Sequence, residues 1–172
     1  AFYALKQDKL ILARDRLGIK PLYIGTCSEG VVYSSQYDHI INHSYCKDQP
    51  FNESVVASYL SLGYMPDNSG VINNTKMLPH GYYCVIDNGG INTYRYYNYF
   101  SSATAQKITS VDAVLDDAVS SQLVSDVAIG TFMSGGVDST LVSYFANKHT
   151  YLKSFTVGVT DSLMDESNSA AA

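Results

Sequence analysis

Apolar and polar positions along the first hundred residues fall into short blocks separated by turn residues. Residues 2–7 and 10–15 read as two strands across a Gln-Asp-Lys turn, and 21–27 and 31–35 as two more across Ser28-Glu29-Gly30. Residues 81–86 and 91–97 pair naturally across Asp87-Asn88-Gly89-Gly90, a hairpin signal. Between these hairpins, Asn52 is suited to cap a helix over residues 53–62. Val55, Val56, Tyr59 and Leu60 give that helix an apolar face, Gly63 stops it, and Pro66 keeps it from resuming.

The pattern changes at residues 101–109, a small and polar stretch that reads as a linker. Ser110 then caps a strongly periodic helix, with Val111, Val114, Leu115, Ala118, Val119 and Leu123 on one face. A strand at 127–133, a helix at 139–148 and a strand at 154–159 follow. That order is one βαβ unit, which predicts a parallel pair with a right-handed crossover. One such unit plus a helix cannot bury both faces of a parallel sheet. A further helix begins near the last residues, so the second domain is expected to be truncated. No internal repeat is evident.

Composition narrows the functional classes. The chain of 172 residues is 46% hydrophobic and 16% charged, which is globular rather than disordered. Its net charge of −5, without a basic cluster, argues against nucleic-acid binding. No apolar run approaches membrane-spanning length. Cys27, Cys46 and Cys84 match no zinc or redox spacing, so reduced thiols and a cytoplasmic location are expected. Asn42-His43-Ser44, Asn52-Glu53-Ser54 and Asn73-Asn74-Thr75 read as chance glycosylation tripeptides. The chain opens Ala1-Phe2-Tyr3 without an initiator Met and reads as an internal fragment.

The chemistry concentrates in Thr131-Phe132-Met133-Ser134-Gly135-Gly136-Val137-Asp138-Ser139-Thr140. Strand, glycine turn and helix start together present backbone N–H groups to an anion. Ser134, Ser139 and Thr140 add hydroxyl donors. Asp138 has the wrong sign for a bare phosphate cradle and makes sense if a divalent cation lies between it and phosphate. No Lys follows the glycines, which excludes a Walker A loop. Phe132 stands where a nucleophile elbow needs glycine, which argues against Ser134 as a hydrolase nucleophile.

The flanks make the pattern specific. Ser-Gly-Gly-Val-Asp-Ser after an apolar strand resembles the pyrophosphate loop of the N-type ATP pyrophosphatases. Val124-Ser125-Asp126-Val127-Ala128-Ile129-Gly130 before it, and Leu152-Lys153-Ser154-Phe155-Thr156-Val157-Gly158-Val159 with Asp165-Glu166-Ser167 after it, resemble the synthetase domain of glutamine-dependent asparagine synthetases. Upstream, Leu12-Ala13-Arg14-Asp15-Arg16-Leu17-Gly18-Ile19-Lys20-Pro21-Leu22-Tyr23 and Leu78-Pro79-His80-Gly81-Tyr82-Tyr83 resemble the later part of a class II glutamine amidotransferase domain. The motifs occur in family order over nearly the whole chain.

The resemblance implies an α/β and α+β chain. Residues 1–100 would be the C-terminal part of an N-terminal-nucleophile-type, β-rich amidotransferase domain. Residues 110–172 would begin a parallel-sheet ATP pyrophosphatase domain. It implies ATP and Mg²⁺, with glutamine and aspartate as the other small-molecule substrates; a homodimer is left open. Ser134, Gly135, Gly136, Val137, Asp138, Ser139 and Thr140 would hold pyrophosphate. Phe132, Val157 and Gly158 would meet adenine, and Asp138, with Asp165 and Glu166, would face the metal. Asp161 is read as part of a solvated acidic loop, and Asp165 and Glu166 could equally belong to it. The amidotransferase nucleophile, an N-terminal cysteine in this family type, has no counterpart here, so no catalytic residue is assigned and this piece alone is expected to be inactive. Arg14 and Asp15 are read as a polar pair ordering the domain junction, and His39, His43, His80 and His149 as structural or surface residues. Two departures stand out: Ser35-Gln36-Tyr37-Asp38 where the family has Ser-Glu-x-Lys, and Arg95-Tyr96-Tyr97 where Arg-Tyr-Trp is common. Another carboxylate acceptor, such as a sugar acid, an amide- or lactam-forming cyclase, or a non-catalytic homologue remain alternative readings.

Overall fold

The computed structural model describes residues 1–65, 68–102, 110–160 and 165–171. It is a mixed α/β structure whose chain divides into two compact units, residues 1–104 and 105–172.

The first unit holds two antiparallel sheets. One has the order β1-β2-β6-β7, from Phe2–Ala4, Lys9–Ala13, Tyr82–Asp87 and Gly90–Arg95. The other has the order β4-β3-β5, from Gly30–Ser34, Tyr23–Cys27 and Thr75–Met77. Alternation along the strands separates two cores. Leu10, Leu12, Cys84, Ile86 and Ile91 of the first sheet pack with Ile24, Val31, Leu22 and Leu78. Tyr23 and Val32, on the opposite face of the second sheet, pack with Ile40, Ile41, Cys46 and Ile72 beside helix α1, Tyr37–Ile41. Gly25 lies in this layer because a Cβ there would stand 2.6 Å from Cys46 Sγ and 2.9 Å from Ile40 Cγ2. The second sheet is therefore covered on both faces, as the middle of three layers.

Several local expectations hold. Helix α2 spans Glu53–Leu62, Asn52 Oδ1 accepts the Val55 N–H at 3.4 Å, and Gly63 ends the helix at φ 76°. The β6–β7 hairpin pairs Asp87 with Gly90 around Asn88-Gly89, and Asp87 accepts the Gly89 N–H at 2.9 Å. Other boundaries move. The first strand ends at Ala4, and Leu5–Gln7 form a 3-10 turn closed by Asp8 at φ 49°. Strand β3 begins at Tyr23 rather than residue 21, in keeping with the missing N–H of Pro21. Of the apolar face expected on α2, Val55 is buried but Leu60 is 78% exposed. Pro66 and residues 103–109 of the expected linker lie outside the described residues; Tyr99–Ser102 form the short helix α3.

In the second unit, α4 (Val111–Ser120) starts at Ser110, whose hydroxyl accepts the Ala113 N–H at 3.3 Å. Strands β8 (Gly130–Phe132) and β9 (Lys153–Phe155) pair in parallel, joined by helix α5 (Val137–His149). Both strands are shorter than expected. A strand persists only where a neighbour supplies rungs, and here each has one partner. Phe145 is buried, and the Thr131 hydroxyl meets that of buried Ser143 at 2.9 Å, fastening β8 to α5. Asp116 of α4 pairs with His149 of α5 at 2.9 Å. Phe132 stays 79% exposed, as expected for a two-stranded sheet with uncovered faces. Ser167–Ala171 form the last helix, α6.

Candidate functional site

The glycine loop leaves the end of β8 and enters α5 with Gly136 as the N-cap residue. Gly136 has no side chain to cap the helix, so the first-turn N–H groups receive no side-chain acceptor from that position. Asp138 is exposed in that same first turn. Gly135 has φ 77°, and a Cβ there would lie 2.7 Å from Ser169 Cβ, so conformation and close packing by α6 both require glycine.

The hydroxyls are arranged differently from the sequence expectation. Thr140 Oγ1 donates to the Gly136 carbonyl at 2.8 Å and Ser139 Oγ to the same carbonyl at 3.1 Å. Ser134 Oγ meets Ser139 Oγ at 3.1 Å and accepts the Gly136 N–H at 3.4 Å. Thr140 and Ser139 thus brace the turn, and Ser139 Oγ also accepts the Ser134 N–H at 3.3 Å. Ser134 bonds no histidine, and His149 lies at the far end of α5, about 18 Å along the helix axis. Among the described residues, a hydrolase reading therefore lacks the usual serine–histidine pair.

Beside the loop, at the C-terminal ends of β8 and β9, lies a cleft of about 320 Å³. Phe132, Met133 and Ser134 line one side, and Phe155, Thr156 and Val157 the other, with Glu166 at the rim. Strand C-terminal ends are where an open parallel sheet binds ligands. The structure thus brings together Phe132, Val157, Ser134 and Glu166 of the expected residues, while Gly158 is not part of the lining. Asp165 is engaged elsewhere: Ser167, through hydroxyl and N–H, holds its carboxyl below the usual carboxylate range. Its Oδ1 accepts the Ser167 N–H at 3.1 Å and the Val159 N–H at 3.5 Å. Asp161 lies outside the described residues. Among the described residues no three Asp, Glu, His or Cys side chains converge as a metal site. One carboxylate beside an anion loop fits Mg²⁺, which is usually held by one or two carboxylates and the substrate's phosphates.

The motifs of the first unit also converge. Arg14 donates from Nε to Lys20 O at 3.0 Å, from one terminal nitrogen to Leu78 O at 3.0 Å, and from the other to Gly18 O at 2.8 Å. Asp15 accepts the N–H groups of Leu17, Ile19 and Lys20 at 3.2, 3.0 and 2.9 Å. Arg14 and Asp15 both order backbone of the 15–20 loop, Arg14 by donating to its carbonyls and to that of Leu78, and Asp15 by accepting from its N–H groups. Gly81 N–H donates to Asp15 O at 2.9 Å, and Tyr96 OH to Arg14 O at 2.7 Å. Residues 12–23, 78–83 and 95–97 thus form one knot. At the departure from the family pattern, Gln36 precedes α1 and its N–H donates to Ser34 Oγ at 3.1 Å, while Tyr37 OH meets the hydroxyl of buried Thr75 at 2.7 Å. The four histidines all have local protein partners: Ser34 for His39, Tyr45 for His43, Arg16 for His80 and Asp116 for His149.

The Asp15 contacts predict a pH response. Hydrogen bonds from Lys20 and Ile19, ahead of burial, hold its carboxyl below the usual carboxylate range. A value lower folded than unfolded adds stability in full above the unfolded pKa of about 3.9, and that stability is lost as pH falls through the folded value. Amide protection factors at Leu17, Ile19 and Lys20 are expected to be constant near neutral pH and to drop in that acid window. Protection that persists below it would show that the carboxylate does not hold the loop.

Residues 1–97 match the family described as glutamine amidotransferase domain, and residues 110–172 the family described as asparagine synthase. Asparagine synthetase [glutamine-hydrolyzing] 3 of Bacillus subtilis (strain 168) is 29% identical over 149 residues, covering 84% of this chain and 24% of the relative. Asparagine synthetase [glutamine-hydrolyzing] 1 of the same organism is 30% identical over 160 residues, covering 89% and 25%. Asparagine synthetase B of Escherichia coli (strain K12) is 29% identical over 153 residues, covering 87% and 23%. The chain therefore spans about a quarter of the length of these relatives. A solved allosteric regulatory enzyme of purine biosynthesis aligns with 91% of the chain and 33% of its own, at 16% identity and a TM-score of 0.30, too low for a fold argument. With the first family model matching more than half of its length, the chain belongs to the glutamine amidotransferase domain family, and residues 110–172 are similar to the asparagine synthase family.

Proposed function

We propose that this chain is part of an enzyme that converts aspartate to asparagine with ATP and glutamine-derived ammonia. In this reading residues 1–100 belong to an N-terminal-nucleophile-type amidotransferase domain that releases ammonia from glutamine, and residues 110–172 to an ATP pyrophosphatase domain. A side-chain carboxylate oxygen of aspartate attacks the α-phosphorus of ATP, the α–β bridging P–O bond breaks, and pyrophosphate leaves. Ammonia then attacks the acyl carbon of β-aspartyl-AMP, and AMP departs with the bonding electrons.

The observation that carries this reading is the adjacency of an uncapped glycine-loop helix start and a cleft at the parallel strand ends, both inside the asparagine synthase match. Negative charge grows on the β- and γ-phosphates as pyrophosphate leaves, which is where preorganised donors act best. The backbone of residues 134–140 and the Ser134 hydroxyl would supply them, while the Ser139 hydroxyl, donated to the Gly136 carbonyl, would hold the turn in shape. Backbone at Phe132, Val157 and Gly158 would meet the adenine edge. Asp138 would hold Mg²⁺, with Glu166 on the cleft rim and Asp165 shaping the adjoining turn. When bound, Mg²⁺ neutralises phosphate charge. The three free cysteines agree with a reducing, cytoplasmic setting.

The acceptor is tested by ATP–pyrophosphate exchange in the polypeptide that carries this chain. L-Aspartate is expected to support exchange and, with glutamine or ammonia, to yield asparagine and AMP. Exchange supported by a sugar acid and not by aspartate would replace asparagine formation with another amidation.

A further inference from the structure

The parallel ladder between β8 and β9 ends in an unusual way. Its last backbone rung runs from Met133 N–H to Phe155 O, at 2.9 Å. In a parallel pair the same residue's carbonyl ordinarily accepts the N–H two positions further along the partner strand, here that of Val157. Met133 O instead accepts the hydroxyl of Thr156, at 2.9 Å. Among the described residues, the Val157 N–H has no acceptor. Met133, Thr156 and Val157 all line the cleft. A side chain has thus taken the place of a backbone rung at the point where the two strands part.

We infer that Thr156 is a positioning residue for base recognition: its hydroxyl satisfies the Met133 carbonyl and so leaves the Val157 N–H free for a ring-nitrogen acceptor of a purine. This inference rests on the nucleotide reading given above and names what prepares that site. The chemistry is selective. Adenine N1 is an acceptor and pairs with a backbone N–H, whereas guanine N1 carries a proton and is repelled by the same donor. A free N–H at the cleft wall therefore favours adenine over guanine nucleotides. The hydroxyl touches no phosphate-binding group of the 134–140 loop, so its effect belongs to the base and not to pyrophosphate.

The test is binding of Mg-ATP, Mg-GTP and Mg-pyrophosphate to the polypeptide that carries this chain, by calorimetry, for the parent and for Thr156→Val and Thr156→Ser. Thr156→Val keeps the shape and removes the hydroxyl; Thr156→Ser keeps the hydroxyl. Thr156→Val is expected to weaken Mg-ATP about three- to tenfold, the range of one hydrogen bond, with Mg-GTP and Mg-pyrophosphate unchanged. Thr156→Ser is expected to retain the parent ATP/GTP ratio. Parent-like ATP/GTP selectivity in Thr156→Val, or equal losses for all three ligands, would overturn the inference. A parent chain that binds pyrophosphate but discriminates no base would also overturn it while leaving the phosphate loop intact. A parent polypeptide that binds none of the three would overturn the nucleotide reading itself.

Discussion

Asp138→Asn is expected to remove the Mg²⁺-dependent part of ATP binding, lowering affinity in Mg²⁺ at least about 100-fold while leaving binding in chelator unchanged. Even partners that only orient a metal's ligands cost roughly 10- to 100-fold in metal affinity, so losing a ligating carboxylate sets that minimum. The substitution keeps the side-chain shape. Asp138 is exposed at the start of α5, where a negative charge also favours the positive end of the helix dipole. Loss of that contact costs less than about 1 kcal/mol, too little to unfold the unit. Calorimetric titration of ATP with and without Mg²⁺ separates the terms. If the variant binds Mg-ATP as the parent does, Asp138 is not a metal ligand, and its place in the loop is explained by the helix dipole alone. If the proposed function is right, the same change in the polypeptide that carries this chain is expected to abolish ATP–pyrophosphate exchange and spare glutamine hydrolysis, because that proposal assigns the two reactions to different units.

Arg14→Met is expected to destabilise the first unit by about 3–4 kcal/mol, the largest stability effect of any single exchange considered for this unit. Its three nitrogens each serve a different carbonyl, and two of those contacts are partly buried. Hydrogen bonds to a charged group contribute about 1.5–3 kcal/mol each; solvent screening places the two partly buried ones at the lower end of that range and leaves the exposed one at most about 1 kcal/mol. Met keeps the aliphatic bulk and leaves the Lys20, Gly18 and Leu78 carbonyls without their donor. Arg14→Lys is expected to rescue little, since an ammonium on a flexible stem cannot reproduce the fork. Arg16→Ala should cost far less, because that guanidinium lies over the Tyr97 ring at 5.3 Å and bonds no carbonyl of the loop. Urea unfolding monitored by tyrosine fluorescence measures all three. An Arg14→Met loss no larger than that of Arg16→Ala would mean that the loop holds without its central donor.

The glycine loop was legible because each of its needs is local. A strand end, a turn with positive φ at Gly135 and an uncapped helix start are all set within a few consecutive residues. The Asn52 cap, the Gly63 stop and the Asn88-Gly89 turn were legible for the same reason. The short helix Tyr37–Ile41 was not foreseen, since five residues are too few to show a 3.6-residue period. Strand β5, Thr75–Met77, was missed because its rungs with β3 come from residues some fifty positions earlier. That Arg14 and Asp15 order backbone was legible from their type, but which backbone was not, because the Leu78 carbonyl lies 64 residues from Arg14 in the chain.

The sequence by itself determined the hairpins, the two capped helices and the βαβ order, the anion loop and its acidic residue, and the likeness to the two families. These rest on short-range sterics and on residue types that few other arrangements require. Tertiary structure decided which donors remain available. It turned the Thr140 and Ser139 hydroxyls inward onto the Gly136 carbonyl, committed Asp165 to the adjoining turn, and used Thr156 to end the ladder before Val157. A hydrogen-bonding group is defined by what satisfies it, and for most of these groups the partner is fixed only when strands and helices distant in the chain come together.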